Sequence, residues 1–418
     1  METVTSRGPL LKLLAGTLVL VGLLTWWGGW ALPVVVIAVI LMIMGHEFGH
    51  FITAKRAGMR VTDYFVGFGP VVWSTTRGET RYGVRAFPVG GYVKVPGMSW
   101  SDDIAPADEP RTYRASSYPR KVLFASAGSL MHLAMALALA FASLTLVGLP
   151  STSHVGVEAF TPWDGHAKNA AQLAGLHVGD RIVSIDAKAV TNATMLVNFV
   201  HHHSGQSLTL VVERAGKDLT LHATPVNGRD VKVAGQRLST GTQPVGYIGI
   251  ELYEQTVRTS VLSAIPTTFS QIGTMVGAAV HGIVHVFSPG EFASLFRQVA
   301  SPAVASKASV EDTRPLSIVG VARLAVQGAQ SGTGVLLEIL MAVNVFVGLL
   351  NMVPILPLDG GYVAVATYER LRSRRGQPYH ADINKLTPLA YGFMTVLLFL
   401  FACTLYLDVV HPIANPFR

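Results

Sequence analysis

Apolar and polar positions divide the chain into long hydrophobic runs separated by mixed stretches. Five runs reach the roughly 20 residues that a helix needs to cross a bilayer: 9–29, 31–54, 121–149, 335–357 and 386–410. A sixth, 261–287, holds no formal charge but is two-faced. Leu262, Ile265, Phe269, Ile272, Val276, Val280, Ile283 and Phe287 share one helical face. Thr267, Gln271, Thr274, His281 and His285, with Ala278 among them, share the other. Such a helix belongs flat in an interface or against another helix. An interfacial helix over 258–287, inside a linker 227–334, is the prediction. Residues 58–118 read differently. "TRYGVRAFPVGGYVKV" sets Tyr82, Val84 and Ala86 against Arg81, Gly83 and Arg85, which is strand periodicity, and Gly90-Gly91 marks a turn or bulge. A β-hairpin is expected there. In 155–226 short strand and helix patterns alternate, with strands at 181–185, 208–214 and 218–224 and a helix over 194–202.

Composition turns these runs into membrane spans. Soluble domains carry roughly 25% charged residues; this chain of 418 residues carries 14%. Its net charge of +7 forms no stripe. Basic residues instead flank apolar runs: Arg7 and Lys12, Lys55 and Arg56, Arg120 and Lys121, and Arg370, Arg372, Arg374 and Arg375. That is the pattern of cytoplasmic loop ends, so the expected surroundings are a lipid bilayer, with no nucleic acid. On this rule an N-terminal helix (1–30) leads out and the next (31–57) returns. The third (119–150) leads out again, so 155–226 is extracytoplasmic. The fourth (335–365) returns to a basic loop (366–385), and the last (386–410) leads out. An extra crossing at 261–287 would place the arginine cluster outside. Trp26-Trp27-Gly-Gly-Trp30 lacks a small-residue cleavage pattern, so the first run reads as an uncleaved anchor. The single cysteine, Cys403, allows no internal disulfide. Nothing in the sequence sets an oligomeric state.

The chemistry sits in "MGHEFGHF", residues 44–51. On a helix His46 and His50, four apart, point from one face and can share an ion, while Glu47 stands beside it. This H-E-x-x-H arrangement holds zinc on two imidazoles and uses the carboxylate as general base. Ionisable groups inside a span cost about 2.5–3.5 kcal/mol each on insertion scales, which marks them as functional. A catalytic zinc has three protein ligands, and "NMVPILPLDGG", 351–361, offers a third. Its two prolines break helix geometry, broken backbone at membrane depth must line protein or a wet cavity, and Asp359 ends it. His46 lies about 22 Å into its helix and Asn351 about 24 Å into a later one at 1.5 Å per residue. The three groups therefore reach one level. His201-His202-His203 point three ways on one helix and do not make a metal site. Gly67-Phe-Gly69-Pro lacks the lysine of a phosphate loop and reads as a turn.

With "NAAQLAGLHVGDRIVSIDAKAV" the block 155–226 resembles bacterial PDZ domains. An HExxH in one span, N-x-x-P and L-D-G in a later one, and a PDZ insert between them resemble the site-2 protease family of intramembrane zinc metalloproteases. So do "GMRVTDYFVGFGPVVWSTTRGETRYGV", "FPVGGYVKVPGM" and "RPLSIVGVARL". The resemblance implies a polytopic α-helical membrane protein with about five spans, a membrane-associated β-hairpin and one extracytoplasmic PDZ-like α/β domain, set in a bacterial plasma membrane. It implies a Zn2+ cofactor on His46, His50 and Asp359, with Glu47 as general base. Asn351 is implied at the substrate strand or oxyanion, and a hairpin edge at Tyr82, Val84 and Ala86 pairs with substrate. The implied substrates are single-span transmembrane proteins, such as anti-sigma factors already trimmed outside, or remnant signal peptides. Rival readings are a non-catalytic PDZ scaffold and a metal transporter. Three departures from the family pattern stand out: Ser129 and His132 in "AGSLMH" replace a proline and an asparagine, and Tyr362 occupies a frequent histidine position. His132 is open to three readings: a fourth ligand, a substrate contact or a packed side chain.

Overall fold

In a computed structural model the described residues are 7–98, 102–233, 235–239, 243–311, 314–374, 379–413 and 415. Arg375, counted above in the basic cluster, lies outside them. Two units form: residues 1–143 with 262–418, and Leu144–Val261.

The first unit opens with α1 (Arg7–Gly28) and α2 (Ala31–Arg56). It continues through β1 (Asp63–Arg77), β2 (Thr80–Lys94) and α3 (Tyr118–Ala142). Four helices are long and apolar enough to cross a membrane: α2, 118–147 beginning with α3, and two described below as α10 and α12. The 22 residues of α1 extend about 33 Å, also a spanning length. The protein is a multi-pass membrane protein, and its exposed Leu18, Leu41, Leu123, Leu398 and Phe401 suit a hydrocarbon solvent.

β1 and β2 fold back on themselves into a small sheet. Residues 71–77 pair antiparallel with 80–85, and residues 63–66 pair antiparallel with 91–94. Residues 63–66 also pair with 81–84, with both numberings rising together. Gly67 and Gly69, at φ +85° and +87°, turn the chain between the two halves of β1, as the Gly-Phe-Gly-Pro turn predicts. Residues 81–84 therefore lie inside the sheet, with Tyr82 paired to both Tyr64 and Thr75, and Val84 to both Val66 and Trp73. A Cβ on Gly83 would strike Phe65 on one flank and the Trp73 carbonyl on the other. The predicted edge is corrected at Tyr82 and Val84, which have a strand on either side. Alternation finds strands but not their neighbours. Among the described residues the arm 91–94 has a strand on one side only. The hairpin tip is tied to the end of α2: Glu79 accepts from Lys55 Nζ at 2.7 Å and lies 2.8 Å from Arg111. Those cations, Arg111 first, lower the Glu79 carboxyl to about 2.

The second unit, read by itself, is β-rich. Its sheet runs β12–β3–β4–β6–β7, with β5 on β4. The strands are β3 (Leu149–Phe160), β4 (Arg181–Ile185), β5 (Lys188–Ala189), β6 (Leu208–Arg214), β7 (Lys217–Ala223) and β12 (Ile250–Val257). Four two-residue strands, β8 (Val226–Asn227), β9 (Lys232–Val233), β10 (Gln236–Arg237) and β11 (Gly246–Tyr247), fill the interval before β12. Helices α4 (Ala170–Leu173) and α5 (Ala193–His202) accompany them. Ile182, Ile185, Leu196, Leu208 and Leu210 form its core. The elements are those expected of a PDZ-like domain, although the sheet takes in β12, beyond the anticipated 155–226. His202 and His203 turn Nδ1 to the carbonyls of Asn198 and Phe199, and His201 meets the Tyr247 ring. No shared ion is framed there.

The first unit resumes with α6 (Val261–Val286), α7 (Pro289–Ala300), α8 (Pro302–Glu311), α9 (Ile318–Ser331) and α10 (Thr333–Asn351). α11 (Asp359–Arg372) and α12 (Thr387–Val410) follow. α6 packs against other helices, one of the two expected settings. Its Ile272 is buried with Ala136 and Ala140 of α3 and Met341 and Val345 of α10. The inward residues are Ala264, Thr268 and Ile272, while Leu262, Ile265, Phe269 and Val280 of the predicted apolar face are exposed. Lipid tails are as apolar as leucine, so large aliphatic groups gain nothing by turning inward and small residues make the helix contacts. Phe287 stacks beside Phe393 near the start of α12. By Arg314 the chain has reached that helix's other end, where Arg314 Nη2 donates to Asp408 Oδ1 at 3.1 Å. Asp408 Oδ2 also accepts the Ser317 amide at 2.7 Å, at the cap of α9.

Candidate metal centre

α2 presents His46, Glu47 and His50 where it crosses α3. Two glycines permit the crossing. A Cβ on Gly49 would lie 2.5 Å from the Ala127 carbonyl, and one on Gly128 would lie 2.3–2.6 Å from three atoms of the His46 ring. The His46 imidazole therefore rests on bare backbone of α3. His50 Nδ1 sits 2.8 Å from the Phe124 carbonyl. A carbonyl only accepts, so Nδ1 carries the proton and Nε2 is left as a lone-pair donor for a cation.

The third group arrives from the loop between α10 and α11. Pro354 and Pro357 interrupt the helix, and the loop folds over the first turn of α11. A Cβ on Gly360 would be 2.2 Å from the Met352 carbonyl, and one on Gly361 would be 2.5 Å from the Leu356 nitrogen. Only the double glycine allows that overlay, and it brings Asp359, the first residue of α11, beside the two imidazoles. A helix N-terminus favours a carboxylate there.

The ligand atoms are closely matched. His46 Nε2 and His50 Nε2 are 3.2 Å apart, and Asp359 Oδ2 is 3.4 and 3.3 Å from them. Ligands on a tetrahedral zinc at about 2.0–2.1 Å stand about 3.3–3.4 Å from one another. Asp359 Oδ2 is buried with no hydrogen-bond partner, a cost that a cation removes. The donor set, two imidazoles and a carboxylate, is that of catalytic zinc. The group fits. Among the described residues it is the one His/Cys/Asp/Glu group with this closeness.

A cavity of about 150 Å³ opens on the trio, with Glu47, Tyr92, Val93 and Tyr362 on its wall. A Cβ on Gly91 would approach Glu47 Cγ to 3.0 Å, so the free arm 91–94 passes directly over the carboxylate. Asn351 behaves differently from its expectation. It closes α10, half-buried, and is not on the cavity wall. A residue missed in the sequence lies two turns earlier. Asn344, fully buried, places Oδ1 2.9 Å from His132 Nδ1, and the His132 ring is 5.1 Å from that of His46. An asparagine in an apolar span was the available signal. His132 is thus packed beside the trio, on an anchor of its own.

The chain matches the model of Peptidase family M50 over residues 34–398. Zinc metalloprotease Rip1 of Mycobacterium tuberculosis is 31% identical over 403 residues, covering 90% of this chain and 96% of that protein. The Rip1 of Mycolicibacterium smegmatis is 29% identical over 408 residues, covering 90% and 97%. A putative zinc metalloprotease of Nostoc is 29% identical over 348 residues, covering 82% and 86%. With nearly the whole chain matched and a zinc-type trio assembled from two distant segments, this protein belongs to peptidase family M50.

Proposed function

We propose that this intramembrane zinc metalloprotease cuts single-span proteins within their transmembrane segment, with His46, His50 and Asp359 as zinc ligands and Glu47 as proton carrier. The observation that carries the reading is the meeting of three ligand atoms at 3.2–3.4 Å from α2 and α11. Zinc, when bound, polarises the scissile carbonyl and lets water lose a proton near neutral pH. Glu47 lines the same cavity but lies off the ligand face of α2. It takes the proton and returns it to the leaving amine.

A helical substrate hides its carbonyls in its own hydrogen bonds, so it must unwind before attack. The arm 91–94 is open on one side and crosses the cavity at Tyr92 and Val93. Main-chain pairing along it replaces the helical bonds that the substrate gives up. Tyr82 and Val84 lack this role because they belong to the sheet interior.

Lys55 and Arg56 end α2, and Arg370 and Arg372 end α11. By the bias of basic residues toward the cytoplasm, the site faces the cytoplasmic side of a bacterial plasma membrane and Leu144–Val261 is extracytoplasmic. Substrates trimmed outside beforehand, such as anti-sigma factors or remnant signal peptides, suit that arrangement. A scaffold has no use for Glu47 in the cavity. A transporter requires ligand sets repeated along a path. The test is Glu47→Gln in proteoliposomes with a transmembrane substrate and zinc analysis. Cleavage is lost while zinc stays at one equivalent in the trio; unchanged cleavage removes Glu47 as the base.

A further inference from the structure

α6 and α7 bring together a second pair of histidines and a carboxylate. His281 and His285 stand four residues apart on α6, the spacing of His46 and His50, so one face carries both rings. Their rings are nearly parallel, 20° apart with centroids at 6.3 Å, and both are exposed. At the start of α7, Ser288 Oγ accepts the Glu291 amide at 3.3 Å. Glu291 Oε2 then lies 3.6 Å from His285 Nδ1. Glu291 is only 6% exposed, and its Oε1 is buried with no hydrogen-bond partner.

The oxygen without a donor is Oε1, whose burial is costly, and the other oxygen of the same carboxylate, Oε2, is the one turned to His285. The separation of 3.6 Å from His285 is too long for a hydrogen bond. It is close to the spacing of two ligands on one zinc-sized ion, about 3.3–3.4 Å, and to the 3.2 Å between His46 and His50 at the first site. Two donors are therefore nearly in place, and a third is one exposed helical turn away.

We propose that His281, His285 and Glu291 bind a second divalent transition cation of the zinc class, which fastens α6 to α7 across their 69° bend. His285 and Glu291 are the preset ligands, His281 joins by rotation of its side chain, and water completes the shell. Imidazole with carboxylate selects zinc-like ions over calcium or magnesium. The site is independent of the catalytic trio, with which it shares no residue.

The test counts zinc per full-length chain in nanodiscs at buffered free Zn2+, in wild type and in a His46→Ala/His50→Ala background. Expected are two equivalents in wild type and one in that background. His281→Ala/His285→Ala removes one equivalent from either, and Glu291→Gln weakens it at least tenfold. A Co2+ titration of the His46→Ala/His50→Ala chain shows tetrahedral ligand-field bands that vanish with His285→Gln, a milder variant whose fold is checked by thermal unfolding without metal. Saturation of wild type at one equivalent overturns the proposal. So does a second equivalent that survives His281→Ala/His285→Ala.

Discussion

Gly128→Ala tests how the centre is built. The added methyl would sit 2.3 Å from one His46 ring atom and 2.5 and 2.6 Å from two others. Comfortable carbon contacts begin at about 3.5 Å, so the ring must retreat by about 1 Å. Metal sites hold their ligand distances to within about 0.2 Å, so a ring displaced that far no longer serves. If the ring instead stays, overpacking costs about 1–3 kcal/mol. At about 1.4 kcal/mol per decade, that weakens zinc by about 5- to 140-fold. Alanine is favoured over glycine in a helix by about 0.8–1.0 kcal/mol. This offsets part of the cost in overall stability but none of it at the ion. Zinc affinity, measured by chelator competition, should therefore fall at least fivefold while thermal unfolding of the apo protein moves little, and cleavage should fall with it. Gly277→Ala, whose methyl meets nothing within 4 Å, is the control. Zinc affinity within twofold of wild type in Gly128→Ala would show that His46 does not rest on α3 as described.

Three further outcomes are expected. Asn344→Leu strands the buried Nδ1 of His132 and should cost about 1–3 kcal/mol of unfolding free energy; His132→Leu/Asn344→Leu should regain most of it, and equal losses in both would dismiss the pair. Proline at Tyr92 or Val93, one of which turns its amide outward by strand alternation, should abolish cleavage with zinc content unchanged; full activity in both would mean that substrate pairs elsewhere. Glu79 has a depressed carboxyl, so its tie to Arg111 and Lys55 is fully present above its ordinary 4.5 and is lost as pH falls toward about 2. The thermal stability gap between wild type and Glu79→Gln should be constant above pH 5 and shrink below it, and a gap that is flat through that window refutes the tie.

The zinc trio was legible because it conflicts with its surroundings. Ionisable groups in an uncharged span need a reason, and helix rise alone brought His46 and Asp359 to one level. The strands and helix of the β-rich unit were legible through short-range periodicity. Long-range pairing was not. Period two marks 80–87 as strand, but which strand lies inside depends on β1 folding back at Gly67 and Gly69, and that moved the open edge to 91–94. For α6 the two-faced pattern allows either a place flat in an interface or packing against another helix, and periodicity alone does not say which face meets lipid. In a bundle exposed to lipid, Ala264 and Thr268 pack, and Leu262 and Phe269 face outward. Asn344 belongs to no motif, so only its polarity inside an apolar span marks it.

The meeting of Ser317 and Arg314 with Asp408 has a bearing on biosynthesis. The amide that opens α9 and the guanidinium before it wait for a partner translated 91 and 94 residues later. A ribosome-bound chain that has delivered α2, α10 and Asp359 already holds every member of the zinc trio, while the start of α9 gains its carboxylate only when the last helix is inserted. In a chain assembled in this order the final span completes the fastening of α9, after the residues of the metal centre are already made.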